Sequence, residues 1–179
     1  TVAFTVKEGD YLAPQPDRAA ADARARGVLE DFMRKKEAAA AKRAAPLLDA
    51  AGRGDCGELG RLLDGGLDVN VMIENGKTVE ETGQPIRTTA LYQAVAHNQQ
   101  AAARLLLDRG AAMDQATNDG ETPLFMACAN GHMATAHLLL ERGATIHQAK
   151  KDGATPFIVA RDKKHEAIVC LLEQHGAAG

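Results

Sequence analysis

The sequence predicts an all-α solenoid of about four helix–turn–helix repeats, with one helix ahead of the first repeat and a β-hairpin inserted into it. Three observations carry this expectation: landmark residues recur at a step of 33 positions, the apolar content is made of small residues, and Thr-Pro pairs stand where helices should begin.

The step relates Gly120-Glu121-Thr122-Pro123-Leu124 to Gly153-Ala154-Thr155-Pro156-Phe157 downstream and to Thr89-Ala90-Leu91 upstream. It also relates Ala94, Ala127 and Ala160, the pairs Leu105-Leu106, Leu138-Leu139 and Leu171-Leu172, and the pairs Gly110-Ala111, Gly143-Ala144 and Gly176-Ala177. A further copy, Pro46-Leu47, Ala50, Leu62 and Gly66, lies 44 positions ahead of its equivalents, so the first repeat carries 11 extra residues between Gly66 and Thr89. Only 3% of the chain is aromatic and it has no tryptophan, although 45% is hydrophobic. Such a core gains little from any one side chain and must bring many small residues together, which suits closely packed helices.

Local chemistry explains each landmark. Thr122 can cap a helix whose first position is Pro123, where a missing N–H costs nothing, and Thr155-Pro156 repeats the device. A short helix is expected over 124–130, ended by Gly131, and a second over about 132–142, ended by Gly143, with Ala136, Leu138 and Leu139 facing inward. Helices this short are not stable alone in water; stacked neighbours must bury a shared core.

These residues resemble the ankyrin repeat, whose signature is a G-x-T-P-L-H-x-A-A core followed by G-H and L-L-x-x-G-A. The third repeat matches best, through Gly120, Thr122, Pro123, Leu124, Ala127, Gly131, His132, Leu138, Leu139, Gly143 and Ala144. The resemblance runs from about Ala44 to the C-terminus, as repeats of about 44–86, 87–119, 120–152 and 153–179. There are departures. Leu48, Tyr92, Phe125 and Ile158 replace the family's histidine after T-P-L; Arg87 and Ala90 take a glycine and a proline position; Arg61 stands where other repeats have leucine. The polar run from Arg161 to Glu166 suits the end of a stack.

Two segments fall outside the period. Residues 17–45, rich in Ala, Arg, Lys and Glu, read as one helix that could bend at Gly27. Its apolar patch, Val28, Leu29, Phe32 and Met33, either packs on the first repeat as a cap or docks a partner. Residues 1–16, with alternating Val2, Phe4 and Val6 and then Tyr11 and Leu12, read as an extended arm too small to fold alone. Within the insertion, 71–86, Asn75-Gly76 between β-prone segments predicts a hairpin turning at that pair, followed by a flexible return through Gly83 to Arg87.

Catalytic chemistry finds no support. There is no phosphate-binding glycine loop, no G-x-S-x-G and no Cys/His group at zinc spacing, so no cofactor, metal or catalytic residue is expected. His132 and His165 are one period apart and are expected to be structural. Glu80-Glu81 reads as a solvated pair, and no repeat position sets a histidine beside both a carboxylate and a nucleophile. Net charge is −3, which gives no bulk attraction to nucleic acid or an anionic membrane. The basic run Arg34-Lys35-Lys36 is interleaved with acids and lacks aromatics for base stacking, so it reads as a solvated face. Cys56, Cys128 and Cys170, odd in number and far apart, are expected as reduced, buried side chains of an intracellular protein. No run of 18 apolar residues occurs. The chain begins at Thr1, so the expected compartment is the cytoplasm or, had a targeting peptide been cleaved, an organelle.

The function expected is therefore non-catalytic binding of one or more proteins, with a structural subunit of a large assembly, anchored by arm and hairpin, as the alternative. The resemblance implies that contacts fall on the exposed ends of the inner helices, here Arg53, His97, Asn130 and Lys163. It also implies the loop tips, here Ile86 and Thr88, Asp119 and Glu121, then Asp152 and Ala154. Phe4 and Tyr11 of the arm are further candidates. Finally, Asn70 lies in a stretch resembling ankyrin sites that asparagine hydroxylases modify, although a hairpin asparagine bonding the next loop is the simpler expectation.

Overall fold

The computed structural model describes residues 18–78 and 83–177, and the chain divides into two compact units, 1–40 and 41–179. The arm with Phe4 and Tyr11, and the pair Glu80-Glu81, lie outside the described residues.

The second unit is a stack of helical pairs. α1 (Arg18–Arg53), which begins in the first unit, precedes α2 (Cys56–Asp64); the strands β1 (Ile73–Thr78) and β2 (Pro85–Thr88) follow. Three more pairs complete the chain: α3 (Ala90–Ala96) with α4 (Gln100–Asp108), α5 (Pro123–Asn130) with α6 (Met133–Glu141), and α7 (Pro156–Asp162) with α8 (Glu166–Gln174). α3, α5 and α7 pack side by side as an inner row, and α2, α4, α6 and α8 as an outer row. The core lies between the rows. Ala50, Ala94, Ala127 and Ala160, one per repeat, are fully buried and let the rows approach closely, while Leu59, Leu106, Leu139 and Leu172 fill the outer layer. Burying each such leucine contributes roughly 2 kcal/mol.

The capping threonines act as expected. The hydroxyls of Thr89, Thr122 and Thr155 accept from the backbone N–H of Tyr92, Phe125 and Ile158 at 3.2, 3.1 and 3.2 Å. The inner helices then leave through a left-handed residue at one equivalent position, Gly54, Asn98, Gly131 and Lys164, with φ of 75°, 55°, 76° and 62°. His132 and His165 reach back one repeat, to the Val95 carbonyl at 2.9 Å and the Ala129 carbonyl at 3.3 Å, so both stitch adjacent repeats together.

The structure departs from the sequence expectation at three places. The helix expected to stop at residue 45 runs through Pro46 to Arg53 as one element. Ala45 occupies the position that Thr122 and Thr155 hold elsewhere and offers no oxygen to start a new helix, while the Ala, Lys and Arg residues before it favour continuation. Second, the hairpin does not turn at Asn75-Gly76. Both lie inside β1, and the return expected to be flexible includes β2. The register, Ile73 with Thr88, Glu74 with Arg87 and Thr78 with Pro85, shifts between Glu74 and Thr78, so β1 bulges there. Gly76 supplies a φ of 78° and the Asn75 side chain accepts from the Lys77 N–H at 3.0 Å, so the pair builds a bulge rather than a turn. Third, of the three free cysteines only Cys128 is buried, Cys56 is half-buried and Cys170 is exposed. Ile168, Leu171 and Leu172 take the inward positions of α8 and leave Cys170 outside.

Candidate protein-binding surface

The four inner-helix candidates sit where the repeat step puts them. Arg53 and Asn130 are the last residues of α1 and α5, and His97 and Lys163 cap α3 and α7; all four are exposed. Their surroundings differ. Lys163 caps α7, and both it and Lys164, the next residue, are exposed. Asn130 donates to the Ala96 carbonyl of the preceding repeat at 3.3 Å, so its amide is already used between repeats.

Arg53 and His97 are drawn into one groove of about 390 Å³. Its apolar floor is Ala45, Leu48 and Ile73, and its rim carries Asp49, Arg53, Glu74, Asn75, Gln93 and His97. Ile73 is what joins hairpin to helix: it packs with Ala44 and Leu48 in a small buried cluster of its own. The rim is ordered by internal bonds. Arg53 pairs with Asp49 one turn back, the Gln93 amide donates to the Thr88 hydroxyl at 3.1 Å, and the His97 Nδ1 lies 3.0 Å from the Gln93 carbonyl. Gly52 opens the middle of the groove; a Cβ there would meet the His97 ring at 3.6 Å, an ordinary contact. The groove therefore offers a nonpolar strip between groups of both signs. The sequence predicts the hairpin but not its place beside Arg53 and His97, because a repeat step says nothing about where an insertion folds back.

The loop-tip row divides more sharply. Thr88 is buried and accepts the Gln93 bond, so it is not available at the surface. Ile86 is half-buried in β2, whose backbone is gripped by Asn118: its Oδ1 accepts from the Arg87 N–H at 3.0 Å and its Nδ2 donates to the Pro85 carbonyl at 2.9 Å. Asp119 and Glu121 are half-buried in an ion-pair cluster. Lys150, from the next loop, lies 2.9 Å from Asp119, 3.6 Å from Glu121 and 3.7 Å from Asp152, and the Tyr92 hydroxyl donates to Glu121 at 2.6 Å. Hydrogen bonding to Asp119 raises the Lys150 pKa, and neighbouring carboxylates add to it against the opposing effect of burial. Burial, then the Glu121 bond and charge, push the Tyr92 phenol well above its ordinary value. Asp152 and half-buried Ala154 remain at the tip, with the Asp152 carboxylate accepting from the Ala154 N–H at 2.9 Å. Sequence reasoning noticed Tyr92 only as a departure at the histidine position and did not see Lys150 at all; a tyrosine there, one loop from two acids, was the available signal.

Among the described residues no three His, Cys, Asp or Glu side chains gather closely enough to hold a metal ion, and no helix is long and apolar enough to cross a membrane. Burial raises the Cys128 thiol to about 12, which keeps it protonated and unreactive.

A search of curated proteins found no match. The sequence profile described as ankyrin repeats in three copies matches residues 47–150 and 91–178, most of the chain. Paired helices at a 33-residue step, threonine caps, and histidines bonded to the preceding repeat agree with that match. The chain belongs to the ankyrin repeat family.

Proposed function

We propose that this chain is a non-catalytic protein-binding module whose partner seats in the groove between the end of α1, the end of α3 and hairpin strand β1. Ankyrin repeats are generally protein–protein interaction modules, and the family is typically non-catalytic. The observation that carries the placement is the convergence of Arg53 and His97, from successive repeats, on one groove whose far wall is an insertion peculiar to the first repeat. A nonpolar floor with both charge signs on its rim fits an extended polypeptide that sets an apolar side chain on Leu48 and Ile73 and polar groups against Asp49, Arg53 and Glu74. Lys163, Asp152 and the arm residues Phe4 and Tyr11 are subsidiary contact candidates.

Gly52→Gln and Arg53→Glu test this reading. The first fills the groove from a helical position with room for a side chain, and the second reverses a rim charge whose present ion pair is exposed, so both leave the melting temperature unchanged. Capture from cell extract with quantitative mass spectrometry should show the same bound protein lost from both variants. The reading fails if everything the parent retains is retained equally by both.

A further inference from the structure

The stretch of α1 from Arg24 to Lys36 is unlike the rest of the protein. Every described side chain in it is exposed, including Val28 at 71%, Leu29 at 60%, Phe32 at 63% and Met33 at 47%. At helical spacing these four form one stripe about two turns long. The charges are sorted around it. Arg24 and Lys35 border one edge, Arg26 the other, and Lys36 closes the C-terminal end, while Glu30, Asp31 and Arg34 lie on the back, where Asp31 and Arg34 pair at 2.6 Å. The segment holds five basic and two acidic side chains in a chain whose net charge is −3. Arg24, Val28, Leu29 and Phe32 line a shallow groove along the stripe.

From this sorting we infer that residues 24–36 dock an acidic amphipathic helix of a partner protein, at a surface distinct from the groove at Arg53 and His97. An apolar stripe of this width matches the anchor face of one partner helix, and basic residues on both edges select Asp and Glu on the flanks of that face, as edge charges do in paired helices. A second copy of this chain fits poorly. Parallel packing sets each cation against itself, and antiparallel packing sets Arg24 and Arg26 against Lys35 and Lys36. An anionic membrane shares the charge logic, but two turns of stripe with no further large apolar residue on the same face give little area to bury in lipid.

The test uses the full chain and two fluorescent designed peptides of about three to four helical turns. Both carry leucine at i, i+3, i+4 and i+7; one has glutamate at every flanking position and the other lysine. Anisotropy should show binding of the glutamate peptide alone, weakened about tenfold or more by Phe32→Glu and by Arg24→Glu with Lys35→Glu, and unaffected by Gly52→Gln. Circular dichroism melts identical to the parent show that these exposed changes leave the fold intact. The inference is overturned if both peptides bind alike or neither does. It is likewise overturned if deleting residues 1–16 is needed before binding appears, which assigns the stripe to the arm. Sedimentation showing a dimer that Phe32→Glu dissolves, or equal Phe32-dependent binding to phosphatidylserine/phosphatidylcholine vesicles with no peptide binding, assigns it to a second copy or to lipid.

Discussion

The hydroxyl of Tyr92 donates to the carboxylate of Glu121 across 29 positions of sequence at 2.6 Å, and that carboxylate also lies 3.6 Å from Lys150. Inner helix α3 and the loops ahead of α5 and α7 thus share one polar cluster beneath the loop tips. Tyr92→Phe removes the donor and keeps the ring, so it should cost about 1–2 kcal/mol, because a hydrogen bond to a charged acceptor is worth more than a neutral one. The phenol also fixes a pH dependence. The folded protein holds this proton above the ordinary phenol value of 10.0, whereas the unfolded chain releases it there. Stability from this group is complete below that pH and falls as pH rises beyond it, since the unfolded state then binds fewer protons. Urea denaturation of parent and Tyr92→Phe across that range should show the parent losing its advantage; a constant difference between them removes the cluster's role.

Asp119 and Lys163 were equivalent candidates in the sequence and part company in the structure. Asp119→Lys sets a cation against Lys150 in a site where both side chains are largely shielded, and should lower stability by about 2 kcal/mol, or several degrees in melting temperature. Lys163→Glu, at an exposed helix end, should leave the melting temperature unchanged. Calorimetry of the two variants checks both statements, and equal melting temperatures would falsify the structural role given to Asp119.

What the sequence made legible follows from what a period can encode. Thr122, Pro123, Gly131, His132 and the alanine row act through contacts that repeat every 33 residues, so counting finds them. The continuous helix across Pro46, the bulge at Gly76 and the convergence of Ile73 with Ala44 and Leu48 happen once each, outside the period. Which side of a charged residue faces a neighbour is also beyond a period: Asp119, Glu121 and Asp152 look alike in sequence and all approach Lys150, but the first two are only 16% and 17% exposed against 53% for Asp152.

Asn70 shows the same periodic logic at a loop tip. Its Oδ1 accepts from the Ala112 N–H at 2.6 Å and its Nδ2 donates to the Gly110 carbonyl at 3.3 Å, so it bonds the next loop as its hairpin position suggested. Asn70→Ala should cost about 2 kcal/mol, because it leaves a donor and an acceptor of the next repeat unmet. Asn70→Asp keeps the acceptor but turns an anion toward the Gly110 carbonyl; its deficit relative to the parent should shrink on acidification, when a protonated carboxyl can donate again. Urea midpoints at neutral and acidic pH measure this, and a deficit that grows in acid contradicts it. An intact mass of the native protein without an added oxygen atom would separately dispose of hydroxylation at this residue.

The left-handed position closing each inner helix gives a pair of opposite predictions. Gly131 and Lys164 are one repeat apart, with φ of 76° and 62°. Lys164 holds a conformation that costs a side-chain-bearing residue about 1–2 kcal/mol, and its side chain is exposed. Lys164→Gly relieves that cost and gives back part of it through the greater freedom of glycine in the unfolded chain, for a net gain of about 0.5–1 kcal/mol. Gly131→Ala does the reverse and more. It introduces the same strain, and its Cβ would stand 2.8 Å from the His165 ring, which is bonded to Ala129 and is not free to move aside. That variant should lose about 2–4 kcal/mol. Replacing His165 by a smaller residue as well should recover the steric part only, since the left-handed strain remains. Thermal melts of Lys164→Gly, Gly131→Ala and the double variant at 131 and 165 separate the two contributions. A Lys164→Gly protein no more stable than the parent would mean that the lysine side chain makes a compensating contact at the end of the stack.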